Sequence, residues 1–193
     1  MKTFPTTVAA FCAAFLLANT ARGQSTNYWP FVPQTKLEGF ETNTGTLILK
    51  ATAPIGTVAA SPGELSILCR EVTDLGNGHR ELGLAIAFAE DSRAEEMCFV
   101  DYDELDSLQD AVDYLGKADW SVTSLPAFSA VYTTKGGFRV GAYGDRRRGG
   151  IGFAARNARL AVPPLQLSRS QLGQLSRVLN DARAKLDTLR KEK

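Results

Sequence analysis

The chain predicts an α+β fold: a mostly antiparallel, curved sheet of eight or nine strands, or a partly open barrel, packed against two helices. Three observations predict it. Short apolar segments separated by turn residues fill residues 46–101 and 127–167, the pattern of strands joined by tight connections. Between these blocks Leu105, Leu108, Val112 and Leu115 recur at helical spacing. A longer stripe of Leu172, Leu175, Val178, Leu179, Ala182, Leu186 and Leu189 follows the second block. A length of 193 residues with 44% apolar content suits one domain with a real core.

Residues 1–23 read as an export signal. Met1 to Phe4 carries one base, and Val8–Ala18 is an unbroken apolar run of eleven residues. A spanning helix needs about 20, so the run suits a signal segment. Ala21 and Gly23 place small residues before Gln24, and Ala18-Asn-Thr20 is a second cleavage candidate. Cys12 sits inside the apolar run and not at its end, which argues against a lipid-modified cysteine. The expected location is secreted or periplasmic. Cleavage after Gly23 leaves 20 bases against 21 acids, so no global charge field serves DNA or an acidic membrane. Residues 24–42, interrupted by Pro30 and Pro33, read as an N-terminal arm with sticky Tyr28, Trp29 and Phe31. Residues 43–193 form the expected domain.

Thr46–Thr52 and Ile55–Val58 read as two strands split by Pro54. Asn77-Gly78 is the favoured pair for a two-residue hairpin turn. Set at the turn, it joins Glu64–Thr73 to Arg80–Glu90 and puts Ile67 opposite Phe88. Leu65, Ile67 and Cys69 then share a face with Leu82, Leu84, Ile86 and Phe88. Met97–Val100 is a further strand, and Asp101 or Asp103 starts the first helix, with Gly116 as its stop. In the second block a Lys135-Gly136 turn sets Val131 opposite Val140 and Tyr132 opposite Arg139. An Asp145–Arg148 loop sets Val140 opposite Phe153. Phe138, Val140, Ala142, Ile151 and Phe153 then share one face. Pro163-Pro164 ends a short strand. Ser168-x-x-Gln171 is a capping box opening the long helix, whose basic end, Arg190–Lys193, suits the helix dipole.

Cys69 and Cys98 remain after cleavage, and an exported chain can join them. In a meander of 64–73, 80–90 and 97–101 the middle strand holds them about 9.6 Å apart. A disulfide needs about 7 Å or less. The meander therefore predicts two buried thiols not bonded to each other.

No motif for a catalytic triad, zinc protease, phosphate loop or dinucleotide site is present. His79 is the one histidine, beside a turn, and no cofactor is expected. Gly149-Gly-Ile-Gly152 falls in a hairpin where a phosphate cradle would need a helix. The acidic cluster Asp101, Asp103, Glu104, Asp106, Asp110 and Asp113 has the composition of a weak ion site, with Asp101, Asp103 and Asp106 as metal candidates. It equally suits a helix start that offsets the dipole. Arg146, Arg147 and Arg148 on a hairpin loop, with Arg139, Tyr132 and Tyr143 on a sheet face, suit an anionic ligand such as a glycan or lipid headgroup. Residues 81–113 hold eleven acids and one base, and residues 135–190 hold twelve bases and three acids. This asymmetry closes within one chain or pairs two copies as a homodimer.

Asp101-Tyr-Asp-Glu104 through Asp113-Tyr-Leu-Gly-Lys117, with Thr133-Thr-Lys-Gly136, resembles a group of exported bacterial proteins of unknown function. The resemblance covers about half the chain and implies no activity. Strands closed by a C-terminal helix also resemble the pleckstrin-homology-like layout, a likeness that carries no function. Three functions are expected in order. The first is an exported non-enzymatic interaction or structural protein, self-associating or binding a protein partner. The second is a module for an anionic ligand at the Tyr/Arg face. The third is a small hydrolase or metal-binding protein using the acidic cluster. No nucleic-acid partner and no transmembrane segment in the mature chain are expected.

Overall fold

Alternation of apolar and polar residues produces eight strands, and their pairing divides them between two open antiparallel sheets. The computed structural model describes residues 32–89, 96–160 and 163–192. The expected export signal and residues 24–31 of the arm lie outside the described residues. The first sheet is a meander of β1 (Ile48–Ala59), β2 (Glu64–Asp74), β3 (Arg80–Ala89) and β4 (Glu96–Asp101). The second is a meander of β5 (Ala127–Thr133), β6 (Phe138–Asp145), β7 (Ile151–Asn157) and β8 (Leu165–Leu167). Ser61 and Gln166 exchange two backbone hydrogen bonds of 2.9 and 2.8 Å, linking the β1–β2 connection to β8.

Among the described residues three α-helices complete the fold: α1 (Lys36–Glu41), α2 (Leu105–Lys117) and α3 (Arg169–Lys191). A short 3-10 turn, Tyr102–Glu104, precedes α2. Both expected stripes are buried. Leu105, Leu108, Val112 and Leu115 of α2 join Leu172, Leu175, Leu179, Ala182 and Leu186 of α3 in one core with the inner faces of both sheets. Each fully buried leucine contributes about 1.5–3 kcal/mol. The capping box at Ser168 and Gln171 forms as expected. Polar pins fix α2 to α3: the Ser176 hydroxyl donates to Asp113 at 2.6 Å, and Gln109 donates to Ser176 at 2.8 Å.

Part of the expected arm is helical. Thr35 and Glu38 form a capping box at the start of α1. The Asp101 carboxylate accepts from the Lys36 and Leu37 backbone N–H groups at 2.8 and 3.3 Å. Leu37 and Phe40 bury against Val72, with Ile48 and Phe99 beside them, on the first sheet's second face.

Three hairpin connections are longer than the turns expected for them. The β2–β3 loop holds four residues, 75–78, because Asp74 pairs with His79 through a 2.8 Å hydrogen bond. The Asp74 carboxylate organises that loop, accepting from Gly76 N–H and the Asn77 amide. Leu65 therefore faces Phe88, two positions from expectation. The β6–β7 loop runs from Asp145 to Gly150, so Val140 faces Ala155 and not Phe153. The β5–β6 loop holds three residues, 135–137, with Gly137 at φ 89° and Thr134 bonded to Phe138. That odd extra residue sets Tyr132 opposite Val140 and Thr133 opposite Arg139. Pro54 does not split a strand. It sits on edge strand β1 at a bulge between Pro54 and Gly56, where a missing N–H costs no ladder bond.

β3 lies between Cys69, opposite Leu84, and Cys98, opposite Ile86. Both side chains are buried thiols. Burial pushes the Cys69 thiol up to about 11, which keeps it protonated and unreactive near neutral pH.

Two predictions follow from these contacts. Asp101→Ala leaves two backbone donors without an acceptor and should cost about 1–3 kcal/mol, read as a lower urea midpoint. An unchanged midpoint would remove the cap from the account. Asp74, Asp113 and Asp187 are each held below the usual carboxylate range, chiefly by hydroxyls of Thr46, Ser176 and Tyr102. A depressed carboxylate stabilises above its unfolded value, about 3.9, and that stability is lost as pH falls through the folded value. The melting temperature should therefore be flat above about pH 5 and drop below about pH 4. Asp113→Asn should lower it at neutral pH and shrink the acid drop.

Candidate functional site

Strand alternation places Arg139, Gly141 and Tyr143 of β6 on the outer face of the second sheet. Their cross-strand partners are Arg156, Ala154 and Gly152 of β7, and Gln166 of β8 lies beyond Ala154. Arg139 and Arg156 thus stand directly opposite one another. Like charges at that position are destabilising. Neither arginine forms an ion pair with a described residue; the Arg139 guanidinium donates to the Thr133 hydroxyl at 2.9 Å. Both are half-buried, so water screens their repulsion only in part.

Tyr143 lies back along its own strand. A Cβ built on Gly141 would come 3.1 Å from the Tyr143 hydroxyl, so the glycine leaves the space the phenol occupies. The hydroxyl therefore reaches the level between Tyr143 and Arg139. Tyr143, Gly152, Ala154, Arg156, Pro164 and Gln166 line an open groove of about 430 Å³. Its floor is small residues and backbone, and its walls offer a guanidinium, an amide and an aromatic ring. The chemistry suits a planar or ring-shaped ligand bearing carboxylate, sulfate or phosphate.

The arginine loop divides. Arg146 is committed to the fold: its guanidinium donates to the carbonyls of Trp120 and Thr123 at 2.9 and 3.2 Å and lies 5.0 Å from the Trp120 ring centre. Trp120 in turn packs edge-on against Phe128. Arg147 is exposed, and Arg148 makes only a long 3.7 Å approach to Asp145 with its side chain 90% exposed. Tyr132 does not share the face with Arg139 and Tyr143. It packs half-buried on the inner side, and burial, with Glu104 nearby, raises its phenol. Arg156 takes its place. The expected β6–β7 register puts Ala154 opposite Arg139, which hides the arginine pair.

The acidic cluster is taken up by the protein's own groups. Asp101 is 2% exposed and caps α1. Asp103 lies 3.3 Å from Lys36 and 3.7 Å from Lys135; burial works to raise its carboxyl, and the Lys36 hydrogen bond with the fields of both lysines holds it low. Asp106 pairs with Arg183 at 2.8 Å. Among the described residues no group of three or more histidine, cysteine or acidic side chains is placed to hold a metal ion. Asp103 and Asp106 do border a larger open cleft of about 520 Å³ with Lys36, Arg80, Tyr102 and Arg190. Its charges are internally matched: Arg80 grips Glu71 at 2.6 and 3.0 Å, and Arg190 stacks 4.2 Å from the Tyr102 ring centre. His79 is exposed, 3.3 Å from Glu81.

No helix of the described residues is long and apolar enough to cross a membrane. No protein-family model, curated protein or solved structure matches the chain.

Proposed function

We propose that the chain is an exported binding module for an anionic ligand, held on the outer face of the second sheet. The export reading rests on the apolar run Val8–Ala18 and the small residues before Gln24. The ligand reading rests on one juxtaposition, Arg139 opposite Arg156 with no described carboxylate between them. An oxyanion set between the two guanidinium forks accepts charge-assisted hydrogen bonds from both and turns the repulsion into attraction. Tyr143, 42% exposed beside the trough over Gly152 and Ala154, supplies a ring for a sugar to stack on. The ligand class that fits is an acidic glycan, with sulfate or uronate groups meeting the arginines.

Arg139→Gln or Arg156→Gln should weaken binding of a sulfated oligosaccharide by about tenfold, the loss of one charge-assisted contact. The same change should raise the melting temperature of the ligand-free protein by about 1–3 °C, because it relieves the cross-strand repulsion. Calorimetric titration and thermal melts read the two effects. Unchanged affinity together with a lower melting temperature would assign the pair to the fold alone. Arg146→Ser separates loop from face. It should lower stability by about 1–2 kcal/mol through the lost carbonyl contacts and ring stacking, while Arg147→Ser leaves the melting temperature unchanged.

A further inference from the structure

We propose that the free edge of β5 pairs antiparallel with β5 of a second copy, joining the two second sheets into one of eight strands. The proposal is independent of the anion reading. A long unpaired edge invites another chain, and proteins guard such edges with charges, proline, bulges or brevity. β1 carries Lys50, Pro54 and a bulge. β4 is six residues long, and α1 lies against its end, where Asp101 caps the helix. β8 has three residues, and Ser61 already bonds beside it. β5, Ala-Phe-Ser-Ala-Val-Tyr-Thr, has none of these devices: no charge, no proline and an unbroken register with β6. Val131 on it is 46% exposed, and Leu125 just before it is 64% exposed.

The strand is also suited to pair with itself. About a two-fold axis at Ala130, Phe128 faces Tyr132 of the partner subunit, and the same pair recurs on the other side. Ser129 faces Val131 of the partner subunit in the same way. Cross-strand aromatic pairs of this kind stabilise a ladder. The charges at the two ends of β5 favour this direction. The Ala127 end carries the arginine loop, tied in through the 2.8 Å bond from Arg146 N–H to the Pro126 carbonyl. The Thr133 end carries both signs: Asp103 and Glu104 are held by Lys36 and Lys135, and Arg139 stands opposite Thr133. Antiparallel pairing keeps the two arginine loops at opposite ends of the ladder; parallel pairing would bring them together. The two-fold axis stands perpendicular to the joined sheet, so the outer faces of both copies lie on one side.

Sedimentation velocity of the wild-type chain up to roughly 100 μM, a concentration that detects weak association, should show a dimer. Ser129→Lys with Val131→Lys, both on the exposed face of β5, sets two like-charged pairs across the axis. This double variant should sediment as a monomer with unchanged circular dichroism. Mixing it with the Ser129→Glu, Val131→Glu variant should restore a dimer of one copy of each. A monomeric wild-type chain, or a lysine variant that stays dimeric, overturns the proposal.

Discussion

The fold depends on a ring of polar contacts around the N-terminus of α1, where the two sheets are tied together. Asp101, at the end of β4, caps the helix. Glu38, one turn in, pairs with Arg159 just after β7. The same guanidinium donates to the Lys135 carbonyl at 2.9 Å, and the Lys135 N–H donates to Glu104 at 2.8 Å. Glu104 precedes α2 and follows β4, which closes the ring. Glu38 is 4% exposed and Asp101 is 2% exposed. A buried carboxylate deprived of its partner costs about 3–5 kcal/mol, so the ring holds as a unit. Its centre is the β5–β6 turn. A Cβ on Gly136 would come 1.8 Å from the Phe99 carbonyl oxygen, so only glycine lets the turn lie against β4. This fixes where β6 begins, and with it the level of Arg139.

That dependence explains which features were legible in the sequence. α2 and α3 follow from stripes and a capping box, because their signals are local and their burial follows the period. The strands follow from alternation. Registers do not, because they are set by loop length, and loop length depends on side chains that bind the loop. Asp74 lengthens one turn by two residues, and the glycines after Arg148 lengthen another by two. Even shifts keep each side chain on its face, so the core residues Phe138, Val140, Ala142 and Phe153 were legible despite wrong partners. The odd shift at 135–137 moved Tyr132 through the sheet. α1 was hidden for another reason. Thr35-x-x-Glu38 is a capping box, but the helix has only six residues, and it is fixed by Asp101 and Arg159, far away in sequence.

The opposed charge blocks along the chain are largely spent inside it. Arg183 joins α3 to Asp106, and with Arg190 it flanks the Tyr102 ring, whose hydroxyl donates to Asp187. Lys36 and Lys135 converge on Asp103. Arg169 reaches the carbonyls at the end of α2. Each of these cations therefore has a structural assignment. Arg139 and Arg156 are different in kind, because the register opposes them and no described carboxylate answers them.

A sequence that specifies a fold well satisfies pairing, capping and edge protection together, and departures concentrate where function is served. This chain caps α1 and α3, answers Asp101, Asp103 and Asp106 within the fold, and guards β1. It departs from the rules at two places on one sheet: a like-charged cross-strand pair and an unguarded neutral edge. Neither is forced by the core. The arginines point away from it, and a lysine at Val131 would meet solvent. Two independent departures on adjoining strands, β6 with β7 and β5, support the proposal that the second sheet is the working surface. On that proposal the first sheet, with α1 and α3 on opposite faces, is the support that holds the surface in place.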